Sequence, residues 1–319
     1  MVSLGNIEDQ RKTPQLGTQA SDGETGSHVG TVSKTAVIRD VIRYRDLPLE
    51  ELTFTGTLVE AGSGKPILDA EGKEITASTV EKIEQSEGEV TVTFSFDSTA
   101  LGGRDVVVFE TVTDAAGTVI GEHRDPNDEE QTVKYPEIGT TATDGDTGEH
   151  SGTLSEKAVI RDVVEYQNLS PGHTYRVTGT VADRESGELL PEVTASTEFV
   201  PEKEEGQVVV TLSLNTLDMQ GRDLVVFERL SVRTEEEKEE GEKEEQWKEI
   251  VIHEDLSNTS QTVRYPLRPA PVPGKARTNT GKTVTPARTG DTQAAQLITA
   301  LAALALSAAL LVQLRRLRR

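Results

Sequence analysis

The residues best equipped for chemistry occur twice. HRDPNDEEQTVKYP at 123–136 returns as HEDLSNTSQTVRYP at 253–266. Each copy keeps a histidine, His123 or His253, and an acid two residues on. A glutamine, Gln131 or Gln261, stands eight residues after the histidine, followed by Thr-Val, a basic residue and Tyr-Pro. The chain has five histidines in all, so two at one spacing before a glutamine demand a reason. Upstream, AVIRDVIRY sets Asp40 on the strand face of Ile38, Ile42 and Tyr44, and Asp162 shares a face with Ile160, Val164 and Tyr166. Glu110 likewise lies on the face of Val106 and Val108, and Glu228 on that of Leu224 and Val226. If the apolar face is the core, each copy buries one Asp and one Glu. Such carboxyls must be protonated, paired or hydrogen-bonded, unless they sit at strand ends that reach water.

A nucleophile completes the set. Thr18 and Thr140 open the first strand of each copy, and theirs is the hydroxyl position the copies share, since Thr141 is matched by Gln19. Each copy therefore offers Thr, Asp, Glu, His and Gln in that order. Thr hydroxyls become nucleophilic when a base takes their proton, and a histidine can take it and later return it to a leaving group. An attacked carbonyl becomes an oxyanion that needs a donor, and a protonated member of a carboxyl pair can serve. His, Asp and Glu are each chemically able to act as base or donor.

The elements that must hold these residues read as strands. GTQASDGETGSHVGTVSKTAVIRDVIRYRDL (17–47) matches GTTATDGDTGEHSGTLSEKAVIRDVVEYQNL (139–169) without a gap. VTVTFSF (90–96) alternates, with Val90, Val92, Phe94 and Phe96 on one face, and VVVTLSL (208–214) repeats it. Gly, Asn and Asp clusters separate the runs. The expected fold is all-β: two tandem immunoglobulin-like β-sandwich domains at 14–136 and 137–266, joined by a short linker into a stiff pair. EEEKEEGEKEEQWKE (235–249) breaks the pattern and is expected to be a solvated loop or short exposed helix.

RDVxxY, VVFE and HxDxxxxxQT occur together, in that order, in both copies. In this the chain resembles the Thr–Gln ester-bond domains, or VaFE repeats, of Gram-positive surface adhesins. The resemblance covers about residues 14–266. It implies that Thr18 bonds to Gln131 and Thr140 to Gln261. It implies too that Asp40, Glu110 and His123 assist in the first unit, and Asp162, Glu228 and His253 in the second. Such a reaction runs once per domain, releases ammonia and requires no cofactor. A crosslink from first strand to last would carry pulling force past the sheet.

Both ends of the chain add to this reading. Residues 1–13 contain no apolar run and do not resemble a signal peptide, so either an export signal is expected upstream of a truncated start or the chain is the C-terminal part of a longer protein. AAQLITALAALALSAALLV (294–312) is uncharged and long enough to span a bilayer, and Arg315, Arg316, Arg318 and Arg319 follow it. TPARTGDT precedes it. This order resembles a Gram-positive cell-wall sorting signal, with Pro286 and Ala287 in place of the usual Leu and Pro, which implies sortase cleavage between Thr289 and Gly290. Residues 267–291 then form a Pro/Thr-rich wall-spanning linker, and 292–319 the membrane sorting segment. The implied location is the cell wall, with sortase and peptidoglycan as partners, a host-surface ligand reached through a missing N-terminal region, and membrane contact only through the sorting helix.

Composition narrows the alternatives. The formal net charge is −22 among 28% charged residues, which disfavours nucleic acid. With no cysteine, any covalent staple must use other chemistry. A hydrolase built on Thr, His and Asp is a second reading, against which stand the tandem copies and the built-in glutamine. A directly ligand-binding adhesive module is a third. A Lys–Asn isopeptide domain would need a shared lysine in the first strand, and there is none. No metal motif is expected; the acidic turns SDGETG and TDGDTG read as solvated. His28 and His150 align in Gly-flanked turns and read as structural, and His173 as a loop residue.

Overall fold

A computed structural model describes residues 13–237 and 243–267. The first repeat contains β1 (Gln15–Asp22), β2 (Ala36–Arg45), β3 (Glu51–Glu60), β4 (Thr76–Lys82), β5 (Glu87–Phe96), β6 (Arg104–Thr113), β7 (Val119–His123) and β8 (Thr132–Tyr135), with a 3-10 turn at Glu129–Gln131. The second contains β9 (Glu137–Asp144), β10 (Ala158–Gln167), β11 (Tyr175–Asp183), β12 (Leu189–Phe199), β13 (Gly206–Leu214), β14 (Asp223–Glu237), β15 (Lys243–His253) and β16 (Thr262–Arg264). The fold is all-β, in two tandem domains, as the alternation requires. The linker with Thr289 and Gly290, and the apolar span 294–312, lie outside the described residues.

Each repeat packs two antiparallel sheets face to face. In the first, β1-β2-β5 faces β4-β3-β6-β7, with β8 also pairing to β6; in the second, β9-β10-β13 faces β12-β11-β14-β15, with β16 pairing to β14. One core per repeat draws from both sheets. Ile38, Ile42, Val92 and Phe94 meet Leu52, Phe54, Leu58, Val106 and Val108 in the first. Burying these aliphatic side chains drives the fold, at about 1.5–3 kcal/mol for each fully buried one. Glycine is required at Gly56, opposite Glu110 in the β3–β6 ladder: a Cβ there would stand 2.5 Å from Phe94 Cζ.

The edge that matters for chemistry is shared by two strands. β7 pairs with one half of β6, from Glu110 to Thr113, and β8 with the other, from Arg104 to Val107. The chain between them turns inward and drops Gln131 into the core, where it is fully buried. β1 lies against β7, the 3-10 turn and β8, so the first and last strands of the repeat meet here.

The acidic insertion departs from expectation. It is neither loop nor helix on its described residues, but an extension of the β14–β15 hairpin, which runs from Glu228↔His253 through a register shift between Leu230 and Ser231 and on outward through Thr234↔Gln246 and Glu235↔Glu245. Arg176 stacks over Trp247 at 3.9 Å and Arg233 meets Glu245 at 3.3 Å. These contacts recruit the charged segment into the ladder and outweigh its poor strand propensity.

Candidate functional site

Thr18 stands on β1 opposite Ile42, two places along the ladder from the Ala20↔Asp40 pair. Asp40 faces inward from β2 and Glu110 from the opposing sheet, and both are fully buried. His123 ends β7 directly opposite Glu110. Gln131 comes from the 3-10 turn and donates from Nε2 to Asp40 Oδ1 at 3.2 Å. In the second repeat, Asp162, Glu228 and Gln261 are fully buried and Thr140 nearly so. Thr140 Oγ1 donates to Glu228 Oε2 at 3.3 Å, and Gln261 Nε2 donates to the same oxygen. His253 pairs with Glu228 in the ladder, and its Nδ1 lies 3.5 Å from Glu228 Oε2. Five residue types scattered over more than a hundred positions thus converge twice.

Burial, then the neighbouring Asp charge, pushes Glu110 and Glu228 up to about 10. Burial also raises Asp40 and Asp162, to about 6. The Gln131 amide, then the neighbouring Glu110 carboxyl, hold Asp40 below its glutamate, and the neighbouring Glu228 carboxyl does the same for Asp162. Each pair therefore holds one proton near neutrality, mainly on the glutamate, and can both accept and donate.

The distribution of unsatisfied polar atoms singles these clusters out. Among the described residues, twelve buried side-chain oxygen or nitrogen atoms lack a hydrogen-bond partner. Ten belong to the two clusters, including Thr18 Oγ1, both carboxylate oxygens of Glu110 and Asp162, and the Oε1 of both glutamines; the others are the Tyr135 and Tyr265 hydroxyls. Stable cores rarely tolerate such groups, so their concentration here sets these two clusters apart from the rest of the described core.

Sequence reasoning missed the partner of the histidine. The acid two residues on does not touch it: Asp125 Oδ1 accepts from Asn127 N at 3.0 Å, and Asp255 Oδ1 from Ser257 N at 2.8 Å, so both shape turns. Asp128, five residues on, meets His123 Nε2 at 2.7 Å and caps the 3-10 turn by accepting from Glu130 N at 2.9 Å. The second repeat carries Asn258 at that position, 3.5 Å from His253 Nε2. A carboxylate fixes and supports a basic imidazole better than an amide does, and burial holds His253 below the ordinary histidine range. Asn258→Asp should therefore speed the chemistry of the second repeat, and Asp128→Asn slow that of the first, each by at least about tenfold. Intact mass followed over time after refolding reads both rates, and equal rates in all forms would refute this positioning role.

Turn residues support the site. Asp22 is fully buried and its oxygens accept from Glu24 N, Thr25 N, Thr31 N and Thr31 Oγ1 at 2.9–3.0 Å. The SDGETG turn is thus organised around an internal carboxylate. His28 Nδ1 lies 2.8 Å from the carbonyl oxygen of Thr132, the residue after Gln131.

The family of the T-Q ester bond containing domain matches residues 14–135 and again 136–265. No curated protein matches the chain. Among solved structures, a bacterial adhesin from Mobiluncus mulieris containing intramolecular disulfide, isopeptide and ester bond cross-links is 15% identical, over 68% of this chain and 81% of that one, with a TM-score of 0.31. The C-terminal domain of the AgI/II polypeptide BspA from Streptococcus agalactiae is 10% identical, over 75% of this chain and all of that one, with a TM-score of 0.33.

Proposed function

Because the chain belongs to the family of T-Q ester bond containing domains, we propose that each repeat closes an intramolecular ester between its threonine and its glutamine. Thr18 Oγ attacks the Gln131 side-chain carbonyl carbon, and Thr140 attacks that of Gln261. The hydroxyl proton passes to a nearby base, for which the histidine is positioned beside the glutamate. The C–O bond forms, the C–N bond breaks, and the amide leaves as ammonia once it has gained a proton. A protonated glutamate stabilises the oxyanion between these steps. The observation that carries this reading is the clustering of orphaned polar atoms on the very groups that react.

Burial argues against turnover. Asp40, Glu110 and Gln131 are fully enclosed, so a separate substrate has no route to them, and the same dryness protects an ester from hydrolysis. The reaction is self-processing, and digestion of folded protein should yield a branched peptide joining the Thr18 and Gln131 segments. Only linear peptides from both segments would refute it.

The crosslinked pair serves as the stalk of a cell-surface adhesin, holding a binding region away from the cell. Anchoring rests on the PARTG segment, the apolar run and the Arg tail, with sortase joining Thr289 to peptidoglycan. Wall-digesting enzymes should release the mature protein ending at Thr289. Recovery of the intact tail only in membrane extracts would count against anchoring and leave the ester reading untouched.

A further inference from the structure

The two repeats are joined by more than their linker. A single residue, Pro136, separates β8 from β9. The loop between β1 and β2 leaves its own repeat: Val29 is buried in the apolar core of the second repeat, and Val32 packs against both cores. Val32 N donates to Ile250 O on β15 at 2.8 Å. Lys134 on β8 pairs with Glu204. From the other side Asn168, in a left-handed backbone conformation (φ 62°), reaches back. Its Nδ2 donates to Asp105 Oδ1 at 2.8 Å and to the carbonyl oxygens of Arg104 and Tyr135 at 3.1 Å.

The second repeat provides an internal control. At the position of Val29 it carries Ser151, which is exposed. At the positions of Lys134 and Asp105 it carries Arg264 and Asp223, which close on each other at 2.9 and 3.0 Å. The same positions thus turn outward across a joint in one repeat and pair with each other in the other.

We propose that this loop is a plug and the following repeat its socket, so that the pair behaves as one rigid body, and that Val29 fits the first repeat to carry a further repeat of its own kind while Ser151 ends the series. The plug is tied to the crosslink strand. Lys134 N donates to His28 O and Gly30 N to Lys134 O, both at 2.8 Å, beside Gln131. Load crossing the joint therefore enters the chain next to the proposed ester. Domains joined by small interfaces move by default, so a fixed joint is a specific claim.

The absence of cysteine allows clean labelling. Nitroxides placed at the exposed Ser95→Cys and Ser213→Cys in the full chain should give one narrow distance peak by pulsed electron resonance. Val29→Ser with Lys134→Ala should abolish the single peak, while circular dichroism shows the strands retained. The serine is tolerated because the second repeat carries it at Ser151. The narrow peak should survive in Thr18→Ala/Thr140→Ala protein, so a failed joint and a failed ester are distinguishable. A broad distribution in the unaltered joint, or a narrow one that survives Val29→Ser with Lys134→Ala, would overturn the proposal.

Discussion

Thr18→Ala/Thr140→Ala protein should unfold roughly 15–20 °C below the parent chain, with both repeats affected. Thr18 and Gln131 enclose more than a hundred residues, as do Thr140 and Gln261. Closing a loop of that size restricts the unfolded chain and stabilises by about 4–5 kcal/mol in the chain-entropy model. At Thr18 the methyl and hydroxyl contribute little by comparison, and at Thr140, which is buried and donates to Glu228, the hydroxyl adds one hydrogen bond of about 1 kcal/mol. Thr18 is only half-buried, and its hydroxyl oxygen has no hydrogen-bond partner. Each single variant should lower only its own repeat's transition, seen as a split melt in calorimetry. Equal melting of parent and double variant would show that no covalent closure adds to the fold.

A second large effect is expected at the glutamates. Glu110→Ala should leave the first repeat open while the second closes, and Glu228→Ala the reverse, because each cluster is built within one sandwich. The pH dependence of the open forms should carry the same signature. The carboxyl pairs have pKa values raised in the fold, to about 10 for the glutamates and about 6 for the aspartates, and the Thr18→Ala/Thr140→Ala protein keeps the burial that causes this. The unfolded chain ionises these groups in the ordinary range near 4. Their contribution is therefore fully present below that range and is lost as pH rises through the folded values. Adding Glu110→Gln and Glu228→Gln to this background should flatten that decline between about pH 5 and about pH 9, measured by denaturant titration. An unchanged slope would mean that the buried pairs do not hold the proton.

How far this site could be read in advance depended on the kind of signal. The buried carboxyls were legible because strand period is two, and an acid in register with Val106 and Val108, or with Ile38 and Ile42, has nowhere to point but inward. The duplication weighed against the alternative of strand ends that reach water. The histidine's partner was not legible, since Asp128 and Asn258 differ between the copies and lie in the variable part of the segment; only a hydrogen bond distinguishes Asp128 from Asp125. Nothing in the sequence distinguishes Val29 against Ser151 from other differences between the copies, because Val29 is buried in a neighbouring domain's core. The β14–β15 extension was hidden by a run of glutamates whose local preference the ladder overrides.

The two clusters differ in one respect that bears on how they react. Gln131 donates to Asp40, whereas Gln261 and Thr140 converge on Glu228. In both, the glutamine nitrogen is held by a carboxyl of the pair and the amide oxygen has no partner.

The intact mass of the folded chain tests the ester most directly. Each closure expels one ammonia, so the parent should weigh less than its sequence by two. Thr18→Ala or Gln131→Ala should restore one of them, and Thr140→Ala or Gln261→Ala the other. A mass equal to that of the sequence, on folded protein after long incubation, would contradict the crosslink and leave two ordinary β-sandwiches with costly buried acids.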